Sequence, residues 1–176
     1  MLIAMAGLPG TGKSVLGREL AGSLPGAILD KDAIRAALFP PGEIEYSTRQ
    51  DDFCLSIMLQ VADYLLSKDP AKYVILDGRP FTRRYQREDV VTFAQARQIP
   101  LCLIECVCSD EVVRRRLDQD VSDARHVAGN RNFELYLRLK EGLEPLQEER
   151  LIVDTEAPID DCVARCLSYV RGGAGV

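Results

Sequence analysis

Gly7-Leu8-Pro9-Gly10-Thr11-Gly12-Lys13-Ser14 decides the reading of this chain. The stretch satisfies G-x-x-x-x-G-K-[ST] in full, and the chemistry requires those residue types. Glycines let the backbone curl so that successive N–H groups converge on phosphate oxygens. The helix that follows favours the same negative charge through its N-terminal dipole. Lys13 is placed to reach the β- and γ-phosphates, and the Ser14 hydroxyl to ligate Mg²⁺. Gly7 to Ser14, continued by Val15, is therefore expected to bind ATP with Mg²⁺. The context agrees: Leu2 to Ala6 reads as a strand, and Lys13 to Ser23 as a helix with Leu16, Leu20 and Leu24 at four-residue spacing. Lys13 itself is expected in a surface loop.

Outward from this loop the chain alternates strand-like and helix-like runs, the pattern of a parallel sheet covered by helices. Further strands are expected at Ala27 to Asp30, Tyr73 to Asp77, Leu101 to Val107 and Leu151 to Val153. Helices are expected near Ala33 to Leu38, from Ser47 onward, and over Arg83 to Gln98, Ser109 to Leu117, Phe133 to Glu148 and Ile159 to Val170. Ser47 with Gln50 resembles a capping box. In the helix it opens, Phe53, Ile57, Val61, Tyr64 and Leu65 are expected to form the buried stripe. Asp118 to Arg131 is polar without an apolar period and is expected to be a flap. The 176 residues fit a single domain, 47% apolar and 28% charged, so neither disorder nor a disulfide framework is needed. No run approaches a membrane span, and the apolar start feeds a loop rather than a signal peptide. The six cysteines form no CxxC pair and the lone His126 completes no metal set, so buried thiols in a cytoplasmic protein are expected. The net charge of −5 makes a nucleic-acid partner unlikely without excluding one.

No Asn-Lys-x-Asp guanine-recognition motif occurs, and the chain is short for a ring ATPase, which leaves the kinase branch of P-loop proteins. After the second strand comes Asp30-Lys31-Asp32-Ala33-Ile34-Arg35. Residues at the carboxyl ends of parallel strands face the ligand crevice. A carboxylate there can hold an attacking hydroxyl in line or accept its proton. The same Asp32 could equally be a helix N-cap with an incidental arginine one turn on. Asp77 ends a buried-looking strand, where P-loop enzymes place the carboxylate that holds Mg²⁺ or its waters. Arg79, just beyond it, is a substrate candidate, whereas Arg83 and Arg87 read as a solvated helix face. Arg114 to Arg116 fall at an expected helix C-terminus, where the dipole alone favours cations.

Strand, P-loop, short strand and D-x-x-R together resemble a hydroxyl-kinase branch. It includes AAA-type small-molecule kinases, zeta-toxin-like kinases, chloramphenicol phosphotransferase and phage-type polynucleotide kinase. The resemblance implies that Asp32 acts as general base and that Arg35 touches the acceptor. Val74-Ile75-Leu76-Asp77, Arg114-Arg115-Arg116-Leu117 and Ile152-Val153-Asp154-Thr155 are similar to the branch's central strand, lid start and adenine-side loop. It thereby implies ATP contacts from Arg116 and Thr155. Relatives often carry another lid arginine; here Asp118, Gln119 and Asp120 stand in that stretch, with Arg125 or Arg131 as substitutes. The expectation is a three-layer α/β P-loop domain with a five-stranded parallel sheet and a lid over about 118–131. Its expected activity is ATP-dependent phosphorylation of a small-molecule hydroxyl, with a 5′-hydroxyl polynucleotide kinase and a non-catalytic ATP-binding regulator as alternatives.

Overall fold

A computed structural model describes residues 1–122 and 132–172. Five strands, β1 (Leu2–Ala6), β2 (Gly26–Asp30), β3 (Tyr73–Asp77), β4 (Leu101–Val107) and β5 (Leu151–Asp154), form one parallel sheet in the order β2-β3-β1-β4-β5. β1 is central because both its faces are apolar: all five of its residues are buried. Side chains alternate across a strand, so Leu2 and Ala4 face one layer while Ile3 and Met5 face the other. The first layer contains α3 (Thr48–Lys68) and α4 (Arg84–Ala96), the second α1 (Lys13–Ser23) and α7 (Ile159–Arg171). α2 (Lys31–Leu38) follows β2 directly, while α5 (Asp110–Ser122) and α6 (Phe133–Glu141) stand above the carboxyl edge. Val113, Leu117 and Tyr136 of those two helices form a small third core around Leu8, so the phosphate loop is itself part of their packing. No described helix is long and apolar enough to cross a membrane.

Several boundaries and one face differ from expectation. The buried side of α3 is Cys54, Leu55, Met58, Ala62 and Leu66, while Phe53, Val61 and Tyr64 are exposed. The four-residue period is right, but its phase is shifted by one residue: small and flexible side chains fit the gap against the sheet, and Phe53 lies edge-on to Phe39 outside it. Ser47 caps α3 by accepting from Gln50 N, yet the Gln50 side chain turns to Glu45 N and Glu43 O, so the reciprocal half of the box is missing. α5 runs past Leu117 to Ser122, which puts Arg114 to Arg116 inside the helix rather than at its end and makes the first part of the expected flap helical. The remainder of the expected lid, with Arg125, His126 and Arg131, lies outside the described residues. α6 stops at Gly142, and 143–150 returns irregularly to the sheet because Glu144 and Glu148 are held by Arg84 N and Arg87. Arg87 is buried, donating also to the Phe81 and Pro145 carbonyls, and so is a structural tie rather than a solvated charge.

Candidate active site

The phosphate loop is shaped by a steric demand at its first glycine. Gly7 has φ +128°, and a Cβ there would lie 2.4 Å from the Cys106 carbonyl oxygen of β4, well inside contact distance. The loop then folds on itself, Thr11 Oγ1 donating to Leu8 O at 2.7 Å and Lys13 Nζ to the same oxygen at 2.8 Å. Lys13 is thus not in a surface loop: it opens α1 and is only 5% exposed. α2, α3 and α6 carry side-chain N-caps from Asp30, Ser47 and Asn132, but α1 has none and no acidic residue in its first turn. The N-cap, Gly12, thus supplies no side-chain acceptor to the first turn, a condition that favours binding of an anion there. That turn opens onto a cleft of about 600 Å³. Gly12, Ser14, Val15, Thr155, Ala157 and Ile159 are among the residues that line it.

Arg116 spans that cleft. Its Nη1 donates to Thr155 Oγ1 at 2.9 Å and its Nη2 to the Thr155 carbonyl at 2.7 Å, while Thr155 Oγ1 donates to Thr11 O at 2.9 Å. One guanidinium therefore joins α5, the loop after β5 and the phosphate loop. Arg114 instead lies over the Phe133 ring at 4.0 Å, which separates the roles of neighbouring arginines.

On the other side of the loop lies a smaller pocket of about 160 Å³, walled by Lys31, Asp32, Arg35, Tyr46, Asp51 and Arg79 among others. The capping that an aspartate could do here is done by Asp30, whose carboxylate accepts from Asp32 N and Ala33 N. Asp32 is left for side-chain contacts, with Arg35 Nη1 at 2.5 Å and Lys31 Nζ at 3.4 Å. Arg35 is 2% exposed, pairs also with Asp51 and sits against the Tyr46 ring. Lys31 Nζ reaches Asp51 Oδ1 at 2.6 Å. Arg79, likewise 2% exposed, pairs with Asp52, which also accepts from the Tyr85 hydroxyl at 3.1 Å. Lys31, Tyr46, Asp51 and Asp52 were absent from the sequence-based set. The D-x-x-R spacing gives no pointer to partners on a helix some twenty residues later. The glycine in Asp77-Gly78-Arg79 permits this closeness: Gly78 has φ +91°, and a Cβ there would stand 2.9 Å from Lys31 Cβ.

Asp77 ends β3 as expected and is 1% exposed, and its Oδ1 has no partner among the described residues. A buried carboxylate oxygen without a donor is costly, and a cation or its waters would relieve that cost. Ser14, which lines both pockets, supplies a hydroxyl. Few protein oxygens together with retained waters suit Mg²⁺, so the residues fit that ion. Lys13, Ser14 and Asp32 are shared by the two pockets and so stand at their junction.

A parallel sheet with β1 between β3 and β4, a glycine-shaped loop feeding an uncapped helix, and a cleft beside it define a P-loop protein of the α/β class. The chain belongs to the AAA domain family, whose model matches residues 2–145. No curated protein matches it. Among solved structures it is similar to the Mycobacterium tuberculosis APS kinase CysC in complex with AMPPNP and APS, at 17% identity and a TM-score of 0.73 over 97% of this chain and 96% of that one. A gluconokinase from Sinorhizobium meliloti 1021 gives 18% and 0.65 over 98% and 96%. Chaetomium thermophilum Kti12 in complex with ADP-AlF3 gives 14% and 0.73 over the whole of both chains. At these identities the likeness is one of fold.

Proposed function

We propose that the protein is an ATP-dependent kinase that transfers the γ-phosphoryl group to a hydroxyl of a small molecule. The observation that carries this reading is the junction: Asp32 lines both the cleft beside the phosphate loop and the smaller pocket next to it. In-line transfer needs a nucleotide on one side, an acceptor on the other and a carboxylate between them. ATP lies with its phosphates against Gly7 to Ser14, and its base lies between Val15 and the Thr155 segment. Lys13 moves from Leu8 O to the phosphate oxygens. Ser14 and Asp77 would hold Mg²⁺, which when bound would neutralise charge on the phosphate oxygens. Asp32, fixed by Arg35, orients the acceptor hydroxyl and takes its proton. Arg116, positioned on Thr155, adds positive charge near the nucleotide, and Arg35 and Arg79 hold the acceptor.

The similarity in fold to an APS kinase and a gluconokinase supports this reading. Incubation with γ-labelled ATP, Mg²⁺ and a panel of small hydroxy compounds tests it. Label is expected in at least one acceptor, with matching ADP release. Tight ATP binding without transfer to any acceptor would instead favour a nucleotide-binding regulator.

A further inference from the structure

Building on the kinase reading, the geometry points to the chemical class of the acceptor: a small hydroxy compound bearing an oxyanion, whether carboxylate, sulfate or phosphate, held by Arg79 with help from Arg35 and Lys31. The argument is one of hydrogen-bond accounting. Arg79 donates Nη2 to Asp52, but its Nε and Nη1 have no partner among the described residues, and neither does Arg35 Nε. Both guanidinium groups are 2% exposed and line the same pocket. Buried charged donors without acceptors are rare and costly. Among the described residues, each buried side-chain atom of this wall without a partner is an N–H; the orphaned carboxylate oxygen, on Asp77, is not part of the pocket lining.

A neutral polyol would call for a mixture of donors and acceptors, since each hydroxyl offers both. Among the buried side-chain atoms of this wall, those left without a partner are donors only, while its carboxylates, Asp32 and Asp51, are already engaged by Arg35 and Lys31. A planar guanidinium matches a carboxylate, sulfate or phosphate with two parallel bonds. Asp52 holds Arg79 through Nη2, while Asp32 and Asp51 hold both terminal nitrogens of Arg35. Before any ligand arrives, Arg79 is therefore fixed with Nε and Nη1 unpaired among the described residues, and Arg35 offers a single Nε–H. The inner pocket of about 160 Å³ takes the reacting hydroxyl and the anion. Beyond Thr48, Thr82 and Leu139 it continues into an outer cleft of about 400 Å³, reached by Arg83 and Arg138, where a longer acceptor would lie.

The full chain is first saturated with AMPPNP, so that the phosphate loop is filled, and inorganic sulfate is titrated against its thermal midpoint at constant ionic strength. A saturable rise is expected for the wild type, weakened at least tenfold in apparent affinity in Arg79→Gln and partly kept in Arg79→Lys. Retained AMPPNP binding and cooperative unfolding establish that Arg79→Gln is folded. If that variant does not fold, the wild-type titration and the acceptor pairs decide. In parallel, transfer is compared across matched pairs: a neutral sugar, its sugar acid and its sugar phosphate. Preference for an anionic member, lost through KM in Arg79→Gln while the KM for ATP is unmoved, completes the expectation. No saturable sulfate effect, an equal effect in Arg79→Gln, or preference for the neutral member overturns the assignment. Sulfate binding that depends on Arg79 without transfer to any compound leaves the anion site standing and removes the kinase reading alone.

Discussion

Arg116 holds Thr155 with both ends of its guanidinium, Nη1 on the hydroxyl at 2.9 Å and Nη2 on the carbonyl at 2.7 Å. A lysine cannot reproduce this, since its ammonium is a single point and not a fork. Arg116→Lys and Arg116→Ala are therefore expected to lose stability by similar amounts, about 1–3 kcal/mol, the range for hydrogen bonds to a charged group. Both are expected to lower kcat more than ATP affinity if the charge acts on the transferring group. Denaturant unfolding and steady-state kinetics check this; wild-type stability in the lysine variant would show that the fork is dispensable.

Lys13 has two tasks, a carbonyl partner at rest and phosphate when nucleotide is bound. Lys13→Ala is expected to abolish transfer and weaken ATP binding, as read by calorimetry. Because the side chain is buried against Leu8 O, the variant is also expected to have a shifted thermal midpoint, which a surface lysine would not produce. Unchanged ATP affinity with full activity would remove Lys13 from the site.

Two glycines give opposite expectations. Gly7→Ala puts a methyl 2.4 Å from a backbone oxygen at a φ that L-residues avoid, so a loss of about 1–3 kcal/mol or more is expected, together with loss of ATP binding. Gly22→Ala adds a methyl with nothing within 4 Å, in the last turn of α1, and is expected to be neutral or stabilising by up to about 1 kcal/mol. Urea unfolding of both variants checks the pair; equal effects would mean that the loop geometry is not as described.

The thiols make stability depend on pH in the alkaline range. Burial pushes Cys106 up to about 12 and Cys166 to about 11, from an ordinary 9.0. The neutral thiol is favoured in the fold, so this stabilisation is complete below pH 9 and is lost as pH rises from there through each folded value. Each thiol that ionises only on unfolding contributes a slope of about −1.4 kcal/mol per pH unit. Unfolding free energy is expected to fall between pH 9 and 10.5, and to fall less steeply in Cys106→Ala/Cys166→Ala. An identical slope in that variant would assign the effect to other groups.

How much of this was legible in the sequence depends on how local each signal is. The P-loop and the strand–helix alternation are local, and the parallel sheet is found where the residues suggested, with Asp77 at the end of β3. Lys13 opens α1 instead of lying in a surface loop, and the pairing of Arg116 with Thr155 was not foreseen. Phase within a helix is less local. Both 53/57/61 and 54/58/62 keep a four-residue period in α3, and the choice between them rests on the space left by the sheet, which no single-helix pattern contains. The length of α5 was underestimated because polarity at Asp118 to Asp120 suggests a loop, although a helix standing at the sheet edge tolerates polar residues on its exposed sides. Least legible was the second half of the acceptor pocket. Asp51 and Asp52 look like ordinary charges in the first turn of a capped helix. Their pairing with Arg35 and Arg79 arises only when α3 packs against α2 and β3. Arg87 shows the converse case, a charge with solvated-face spacing that the 143–150 segment covers.

The most direct test of the kinase reading is Asp32→Asn, which keeps the shape of the side chain and removes its charge and its capacity to take a proton. Asp30, not Asp32, caps α2, so the helix start should persist. ATP affinity, measured by calorimetry, is expected to stay near that of the wild type, because Asp32, at the junction of the two pockets, is not one of the loop residues Gly7 to Ser14 that cradle the phosphates. Phosphoryl transfer to the acceptor identified by labelling is expected to fall roughly 10²–10⁴-fold, the range for a positioned general base. A loss near the lower end agrees with a loose transition state that asks less of the base. A variant that binds ATP normally and transfers phosphate at the wild-type rate would contradict the account, and would leave Asp32 as no more than the ion-pair partner of Arg35.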